Sequence, residues 1–258
     1  MAGSLTIVGT GIAVATQLTA EARAAIEDAQ DVFHVAGDEV ASQWLDRLNS
    51  NARSLVPLYD SGGTRLEIYS RMAEEIVAPA RVGRRVCAAF YGNPAMFARP
   101  AHEAIRRARA DRIRARMLPA VSALDCLVVD LGVDPGDHGL LSYEATDFLL
   151  HRRPLDAACA LVLWQIGVVG ATGPVRETQR EHLDLVAGRL VSVHGADHEA
   201  VVYEASPYPL VEPFVERVRV GDLPSADVTP LATLYVPPSA SPAIDDEVAA
   251  RLGLAPLR

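Results

Sequence analysis

One stretch, Val86–Asp134, constrains the fold more than any other part of the chain, because strand-like and helix-like patterns alternate in it with turn residues between them. It predicts a strand, a turn, a helix, a second strand and the turn that opens a second helix, at Val86–Phe90, Tyr91–Pro94, Ala95–Arg109, Ile113–Leu118 and Val121–Ala123. Ligands of open α/β sheets bind beyond the carboxyl ends of the strands, where both turns fall. The turns are therefore a candidate ligand site, although Gly92 and Pro94 are equally well explained as turn residues without a ligand.

Length and composition limit the classes of protein that the chain can belong to. The 258 residues suit two modest α/β domains or one large one, and 50% hydrophobic residues supply a core. A net charge of −9 argues against general nucleic-acid binding. The widely spaced Cys87, Cys126 and Cys159 form neither a zinc motif nor a disulfide framework, and we expect no metal. With no signal peptide or membrane-spanning run, we expect a soluble cytoplasmic protein.

A glycine turn follows the first predicted strand, Ser4–Val8. Gly9-Thr10-Gly11 has the first two glycines of a dinucleotide-binding loop, but Val14 stands where the third glycine belongs. The motif is therefore a weak indication of NAD. It predicts a tight turn at the carboxyl end of a strand, where the backbone approaches another group closely.

A second polar segment precedes the third predicted helix. Thr64 and Glu67 have the spacing of a capping box, which predicts that a helix begins here and continues to about Ala78. Arg65 and Tyr69 are four residues apart, so they share a helix face and their side chains can meet. An ordinary exposed pair explains the same spacing.

The two halves of the chain differ in pattern. We place a domain boundary at Pro119, which gives an N-terminal α/β domain, residues 1–119, and a C-terminal α/β domain, residues 120–258, with a more mixed sheet. The sequence also predicts a strand at Ser54–Leu58, a helix at Glu177–Val191 and a helix that begins at Leu210–Val215.

Five segments, matched in one order, together resemble a known family. Their sequences are similar to the borosin peptide backbone α-N-methyltransferases, within the tetrapyrrole methylase (class III) methyltransferases. The segments are YDSGGTRLEIYSRMAEEIV from Tyr59, FYGNPAMFARPAHEAI from Phe90, RARMLPAVSALDCLVVDLGVDP from Arg114, SYEATDFLLHRRPLD from Ser142 and LVLWQIGVVG from Leu161. The resemblance extends over nearly the whole chain, roughly Leu5–Pro238. It implies two α/β domains with the cofactor cleft between them, and S-adenosylmethionine as the cofactor, released as S-adenosylhomocysteine.

The resemblance also implies the catalytic residues. The family's tyrosine, arginine and tyrosine are matched by Tyr59, Arg65 and Tyr69, and the tyrosine of the glycine-proline turn by Tyr91. We expect Tyr69 to be the general base and Arg65 to stabilise the developing oxyanion. A further family tyrosine is replaced by Val56.

The cofactor contacts that the resemblance implies come from both halves of the chain. They are Tyr91, Asn93, Met96, Ser122, Ala123, Gln165, Tyr203, Ala232 and Thr233. Where fungal relatives have histidine in the turn, this chain has Asn93, which cannot be charged.

The substrate and the partners are also expectations from the resemblance. Relatives that modify their own tails have a clasp segment and an apolar core peptide after the methyltransferase domain. The last segment here, Leu252–Arg258, is not rich in valine and isoleucine. We therefore expect a split type that acts on a separate precursor peptide, as a homodimer or as a heterotetramer with two precursors.

Two alternatives remain open. The same fold and cofactor serve a tetrapyrrole (precorrin-like) C-methyltransferase, in which Arg65, Arg71 and Arg99 would bind a polycarboxylate macrocycle. The second alternative is a partner that binds cofactor and peptide without turnover.

Overall fold

The structure, a computed structural model, describes residues 3–173 and 178–254. They group into two compact units. The first unit comprises the described residues within Met1–Val133, Ala171–Arg176 and Glu204–Phe214, and the second those within Asp134–Gly170, Glu177–Tyr203 and Val215–Arg258. The last four residues of the segment Leu252–Arg258, from which we expected a split type, lie outside the described residues. Within the part of the chain that the structure describes, no helix is long and apolar enough to cross a bilayer.

The first unit is a parallel sheet with helices on both faces. Its strands are β1 (Ser4–Gly9), β2 (Asp31–Val35), β3 (Ala52–Ser54), β4 (Arg85–Phe90) and β5 (Arg114–Met117). Its helices are α1 (Ala20–Glu27), α2 (Glu39–Leu48), α3 (Arg65–Arg81), α4 (Arg99–Ala110) and α5 (Ala123–Leu131).

The strand order creates one favoured ligand position in this sheet. The order is β3-β2-β4-β1-β5, and all the pairings are parallel. From β1 the chain proceeds to β2 and β3 on one side, whereas from β4 it passes over β1 to β5 on the other. The neighbours β1 and β4 therefore lead in opposite directions. The space beyond their carboxyl ends is a topological switch point, where such sheets bind ligands.

The core of the first unit has two layers because successive strand residues face opposite sides of the sheet. On one side, Leu5 and Ile7 pack with helices α3 and α4. On the other side, Val8 and Val32 pack with helices α1 and α2. Met72 of α3 is fully buried, and truncation of such a side chain typically costs about 2–5 kcal/mol.

The second unit has a mixed sheet. Its strands are β6 (Leu140–Glu144), β7 (Ala160–Trp164), β8 (Glu199–Glu204), β9 (Phe214–Arg219) and β10 (Thr233–Val236). Its helices are α6 (Pro135–His138), α7 (Ala145–Leu150), α8 (Leu183–His194) and α9 (Asp246–Arg251). The order is β6-β7-β10-β8-β9, in which β6 and β7 are parallel and β10 is antiparallel to β7 and β8. Leu183, Val186 and Leu190 of α8 pack in the core of this unit.

Several predicted elements differ from the structure. Instead of a strand at Ser54–Leu58, the chain forms the short β3 and then a 3₁₀ helix, Val56–Ser61. Pro57 accounts for this, because it cannot donate to a sheet ladder and suits the start of a helix. The helix predicted from Leu210 is wrong, since β9 occupies Phe214–Arg219 and its β-branched residues pair in the second sheet.

Two predicted boundaries also shift. The first unit continues through α5 to Val133, whereas we placed the domain boundary at Pro119. The sequence pattern shows where β5 ends but not which unit the next helix contacts, and α5 groups with the first unit. The helix predicted at Glu177–Val191 begins at a residue outside the described ones, and the structure has a 3₁₀ turn, Arg180–His182, followed by α8.

Candidate functional site

The turns after β1 and β4 are joined to each other by backbone contacts. The Gly92 N–H donates to the Gly11 carbonyl at 2.9 Å, and the Gly11 N–H donates to the Gly92 carbonyl at 3.3 Å. A Cβ at Gly9 would lie 2.2 Å from the Gly92 oxygen, so only glycine permits this approach. The close approach predicted for Gly9-Thr10-Gly11 is thus made with the turn after β4.

Asn93 joins the turn after β4 to the loop after β5. Its Nδ2 donates to the Ala120 carbonyl at 2.8 Å, and its Oδ1 accepts the Ala95 N–H at 2.9 Å. Both ends of the amide therefore bond within the protein. Met96 follows in the same turn and is half-buried.

Helix α5 begins at this edge of the sheet with a capping box. The Ser122 hydroxyl accepts the Asp125 N–H at 3.3 Å and donates to the Asp125 carboxylate at 2.6 Å. Ser122 is buried and Ala123 is half-buried. The side chain of Ser122 thus stabilises the helix start, as capping residues do.

Tyr91 lies in the turn after β4 with its ring against Gly37. A Cβ at Gly37 would be 2.9 Å from a ring carbon, so the glycine makes room for the tyrosine. The Tyr91 hydroxyl donates no hydrogen bond to any other described residue. Burial raises the pKa of Tyr91 to about 12, and the negative charges of Glu204, Cys126 and Asp38 add to the rise. Tyr91 therefore keeps its proton at neutral pH.

Tyr59, Arg65 and Tyr69 come together at the start of α3. The rings of Tyr59, in the 3₁₀ helix, and Tyr69, in α3, meet edge to face with centroids 6.4 Å apart. The Thr64–Glu67 capping box predicted from the sequence is confirmed. It makes Arg65 the first helical residue and places Tyr69 one turn later.

The electrostatic setting differs between members of this group. Burial raises the pKa of Tyr59 above its ordinary range, the neighbouring Tyr69 hydroxyl adds to the rise, and the Arg65 charge opposes it. Arg65 is half-buried and forms no ion pair with any described residue. Its backbone N–H donates to the Thr172 carbonyl at 3.3 Å. The group thus combines a protonated phenol, a second phenol and an unpaired cation.

In the second unit, the four predicted cofactor residues cluster at one edge of the sheet. Thr233 pairs with Tyr203, and the Ile166 N–H, next to Gln165, donates to the Ala232 carbonyl at 3.2 Å. Gln165 has a left-handed backbone, with φ of 61°, which is strained for a residue other than glycine. Its side-chain amide donates no hydrogen bond within the described part of the chain. Tyr203 and Ala232 are buried in the unit.

The structure therefore assembles the predicted residues in three groups. In the first unit, one group consists of Tyr59, Arg65 and Tyr69. A second group consists of Tyr91 and the loops that carry Asn93, Met96, Ser122 and Ala123. The third group is the cluster of four predicted residues in the second unit. Tyr91 itself contacts the start of α2, in a recess with Asp38 and Trp44. The roles assigned to all of these residues stay predictions.

The sequence analysis did not identify two residues near these turns. Asp38 caps α2 by accepting the Ala41 N–H at 2.8 Å, and its other oxygen accepts the Tyr208 hydroxyl at 2.7 Å. Gln17 bonds to the loop after β1. A lone polar amide in the largely apolar run from Ile12 to Leu18 was the signal available for Gln17.

Comparisons with known proteins show the family to which the chain belongs. The family profile of the Tetrapyrrole (Corrin/Porphyrin) Methylases matches residues 4–206. The chain is 40% identical, over 93% of its length, to a methyltransferase/ribosomally synthesized type I borosin cyclic peptide precursor of Coprinopsis marcescibilis. It is 38% identical, over 99% of its length, to the methyltransferase/ribosomally synthesized cyclic peptide omphalotin A precursor of Omphalotus olearius. The chain spans 63% and 62% of the lengths of these relatives.

A solved structure supports the fold. Uroporphyrin-III C-methyltransferase from Thermus thermophilus, complexed with S-adenosylhomocysteine, is similar with a TM-score of 0.65 and 17% identity. The match covers 91% of this chain and 97% of that one. The α/β fold with two sheets is therefore that of the tetrapyrrole methylases.

Proposed function

This chain belongs to the tetrapyrrole (corrin/porphyrin) methylases, and we propose that it is an S-adenosylmethionine-dependent methyltransferase that methylates backbone amide nitrogens of a peptide. The observation that carries the proposal is the group formed by Tyr59, Arg65 and Tyr69. It supplies a proton acceptor and a cation side by side, which amide methylation requires. The resemblance to borosin precursors in sequence points to the same substrate class.

Each unit has side chains of the kind that bind a polar cofactor. Tyr91 and Gln165 each have a side-chain donor that no other described residue uses, and the strain at Gln165 is typical of functional positions. We assign cofactor contacts to these two, to Thr233 and Met96, and to the loops that carry Asn93 and Ser122. Because the amide of Asn93 and the hydroxyl of Ser122 already bond within the protein, we expect those loops to bind mainly through their backbones. When bound, S-adenosylmethionine supplies an electrophilic methyl group.

Arg65 addresses the main chemical difficulty of the reaction. An amide nitrogen is a poor nucleophile because its lone pair is delocalised into the carbonyl group. As the N–H proton leaves, negative charge moves to the peptide oxygen. The guanidinium of Arg65, which forms no ion pair with a described residue, donates to that oxygen, and such a preorganised donor is worth roughly 3–4 kcal/mol.

Tyr69 and Tyr59 take part in the transfer of the amide proton. In this proposal Tyr69 reacts as the phenolate: its Oη, one helical turn from Arg65, accepts the amide proton as general base, and Tyr69 becomes a neutral phenol. Tyr59 keeps its own proton, since burial raises its pKa, and donates toward a phenolate on Tyr69. Tyr59 and Tyr91 also orient the peptide and the methyl donor.

The acceptor in this proposal is a separate precursor peptide. The protein acts as a homodimer, or as a heterotetramer with two precursors. Addition of the peptide in trans tests the separate substrate, and the size of the complex in solution tests the assembly.

The test is incubation of the purified chain with S-adenosylmethionine and a panel of apolar peptides, read by tandem mass spectrometry. We expect methyl groups on backbone nitrogens. Arg65→Ala should lower the single-turnover rate by about 10²–10³ and Tyr69→Phe by a similar factor. Arg99→Ala is the matched control, because Arg99 is also the first residue of a helix but is exposed. It should stay within about twofold of the wild type.

Three outcomes would contradict the proposal or a part of it. A Tyr69→Phe rate equal to that of the wild type would remove Tyr69 as the base. Methyl transfer to a precorrin-like macrocycle and to no peptide, with Arg99→Ala impaired, would favour the tetrapyrrole C-methyltransferase. Cofactor binding without any methylated product would favour a silent binding partner.

A further inference from the structure

Gln17 links two loops at the carboxyl edge of the parallel sheet. Its Oε1 accepts the N–H groups of Ile12, at 2.7 Å, and Ala13, at 2.9 Å, both in the loop after β1. Its Nε2 donates to the Cys126 sulfur, in α5, at 3.8 Å. One half-buried side chain therefore connects the segment after β1 with the helix after β5.

The orientation of this amide follows from its partners. Two backbone N–H groups can be met only by an acceptor, so the oxygen must face Ile12 and Ala13 and the nitrogen must face Cys126. Both loop residues are buried. Without Gln17, two buried donors would lose their acceptor, which is costly because water does not replace it.

Gln17 also packs against the glycine turn. A Cβ at Gly11 would lie 2.3 Å from the Gln17 Cβ, and Gly11 has a φ of 73° that favours glycine. Gly11 in turn exchanges two backbone hydrogen bonds with Gly92, next to Tyr91. Gln17 therefore supports the turn that carries Tyr91 indirectly, by packing against the turn that contains Gly11.

Three links thus join the three loops at this edge. Gly11 and Gly92 join the turns after β1 and β4, Asn93 joins the turn after β4 to Ala120, and Gln17 joins the loop after β1 to α5. We propose that Gln17 is a positioning residue that holds these loops in the geometry that binds S-adenosylmethionine. This inference rests on the proposed function of the same loops.

The test compares cofactor affinity among variants, with S-adenosylhomocysteine as the probe in isothermal titration calorimetry. Gln17→Met removes the acceptor and the donor, and we expect binding to weaken about tenfold. The KM for S-adenosylmethionine should rise in parallel, with kcat within about twofold of the wild type. Gln17→Glu keeps an acceptor for both loop N–H groups, so we expect it to recover most of the affinity.

The matched control is Gln30→Met. The Gln30 Oε1 also accepts a backbone N–H, that of Arg85 at 2.9 Å, but at the amino edge of the same sheet. It should lose stability without losing affinity. Wild-type affinity in Gln17→Met would overturn the inference, as would an equal loss in Gln30→Met.

A second measurement does not depend on the folding of a variant. In the unaltered chain, saturation with S-adenosylhomocysteine should slow the hydrogen exchange of the Ile12 and Ala13 amides. Unchanged exchange at both would overturn the role of Gln17. Failure of the unaltered chain to bind S-adenosylhomocysteine would instead count against the proposed function, so the two failures are distinguishable.

Discussion

The carboxyl and amino edges of the parallel sheet are built with similar contacts but present different chemistry. At the carboxyl edge, Gly9 packs on the Gly92 carbonyl and Gln17 accepts backbone N–H groups. At the amino edge, Gly3 packs on the Ala80 carbonyl and Gln30 accepts a backbone N–H. Close glycine packing and glutamine acceptors are therefore features of the fold and do not by themselves indicate a site.

The side chains around those contacts make the difference. The carboxyl edge has the half-buried phenol of Tyr91, whose hydroxyl donates to no described residue. The amino edge has charged side chains that pair with each other, such as exposed Arg84 with half-buried Asp31. A pair with one partner in solvent is partly solvated and contributes little. The Tyr91 hydroxyl, which no described residue accepts, and the switch point beside it are the reasons for proposing the ligand site at the carboxyl edge.

The largest expected effect comes from adding a methyl group at each end of β1. A Cβ at Gly9 would lie 2.2 Å from a carbonyl oxygen and one at Gly3 would lie 1.9 Å from another. We expect Gly9→Ala and Gly3→Ala each to lower the free energy of unfolding by roughly 3 kcal/mol, because backbone must move. Only Gly9→Ala should also weaken S-adenosylhomocysteine binding by the folded protein. Urea unfolding and calorimetric titration check this, and an equal loss of affinity in Gly3→Ala would remove the distinction between the edges.

A smaller effect concerns alkaline pH. Because the pKa of Tyr91 rises from 10.0 to about 12 on folding, the unfolded chain releases this proton first. The contribution of protonated Tyr91 to the free energy of unfolding is complete below pH 10 and is lost as the pH rises toward 12. The loss lowers the free energy of unfolding by up to roughly 3 kcal/mol. Tyr91→Phe should therefore lose less stability over this window.

Chemical unfolding at a series of pH values measures that slope. Arg84→Met, at the amino edge, is the control. Its partner Asp31 raises the pKa of Arg84 above an already high value, so the Arg84 guanidinium keeps its charge between pH 10 and 12. If Tyr91→Phe and the wild type lost stability equally between pH 10 and 12, the half-buried phenol would not contribute to the pH dependence of stability.

The smallest expected effect extends the comparison to the second sheet. Gln165, after β7, and Arg112, before β5 at the amino edge of the first sheet, both have left-handed backbones. We expect Gln165→Gly and Arg112→Gly each to gain about 1 kcal/mol of stability by relieving strain. Only Gln165→Gly should weaken S-adenosylhomocysteine binding, because it removes an unused amide. Thermal unfolding and calorimetry check both, and unchanged affinity would argue that the strain at Gln165 has no role in binding.

Local patterns predicted much of the first unit. The strand and turn at Tyr91–Pro94, the capping box at Thr64 and the start of α5 at Ser122 depend on residues close in sequence. The pairing of Arg65 with Tyr69 was accessible for the same reason, since two residues four apart share one helix face, whereas Tyr59 was implied by the family resemblance. Prediction was less successful in the second unit, where β9 was taken for a helix. Its strands pair with distant segments, which local propensity does not specify.

The sequence alone determined that a helix begins at Arg65 and that a phenol follows one helical turn later. It also determined that glycine stands in turns whose backbone only glycine can adopt. These properties reside in a few neighbouring residues, and backbone geometry and capping decide them. Only the tertiary structure decided that the turn of Gly11 meets that of Gly92, that Asn93 reaches Ala120 and that Gln17 connects to Cys126. Those contacts join residues that are 27 to 109 positions apart in the sequence. Only the parallel order of β1, β4 and β5 brings these residues to one edge of the sheet.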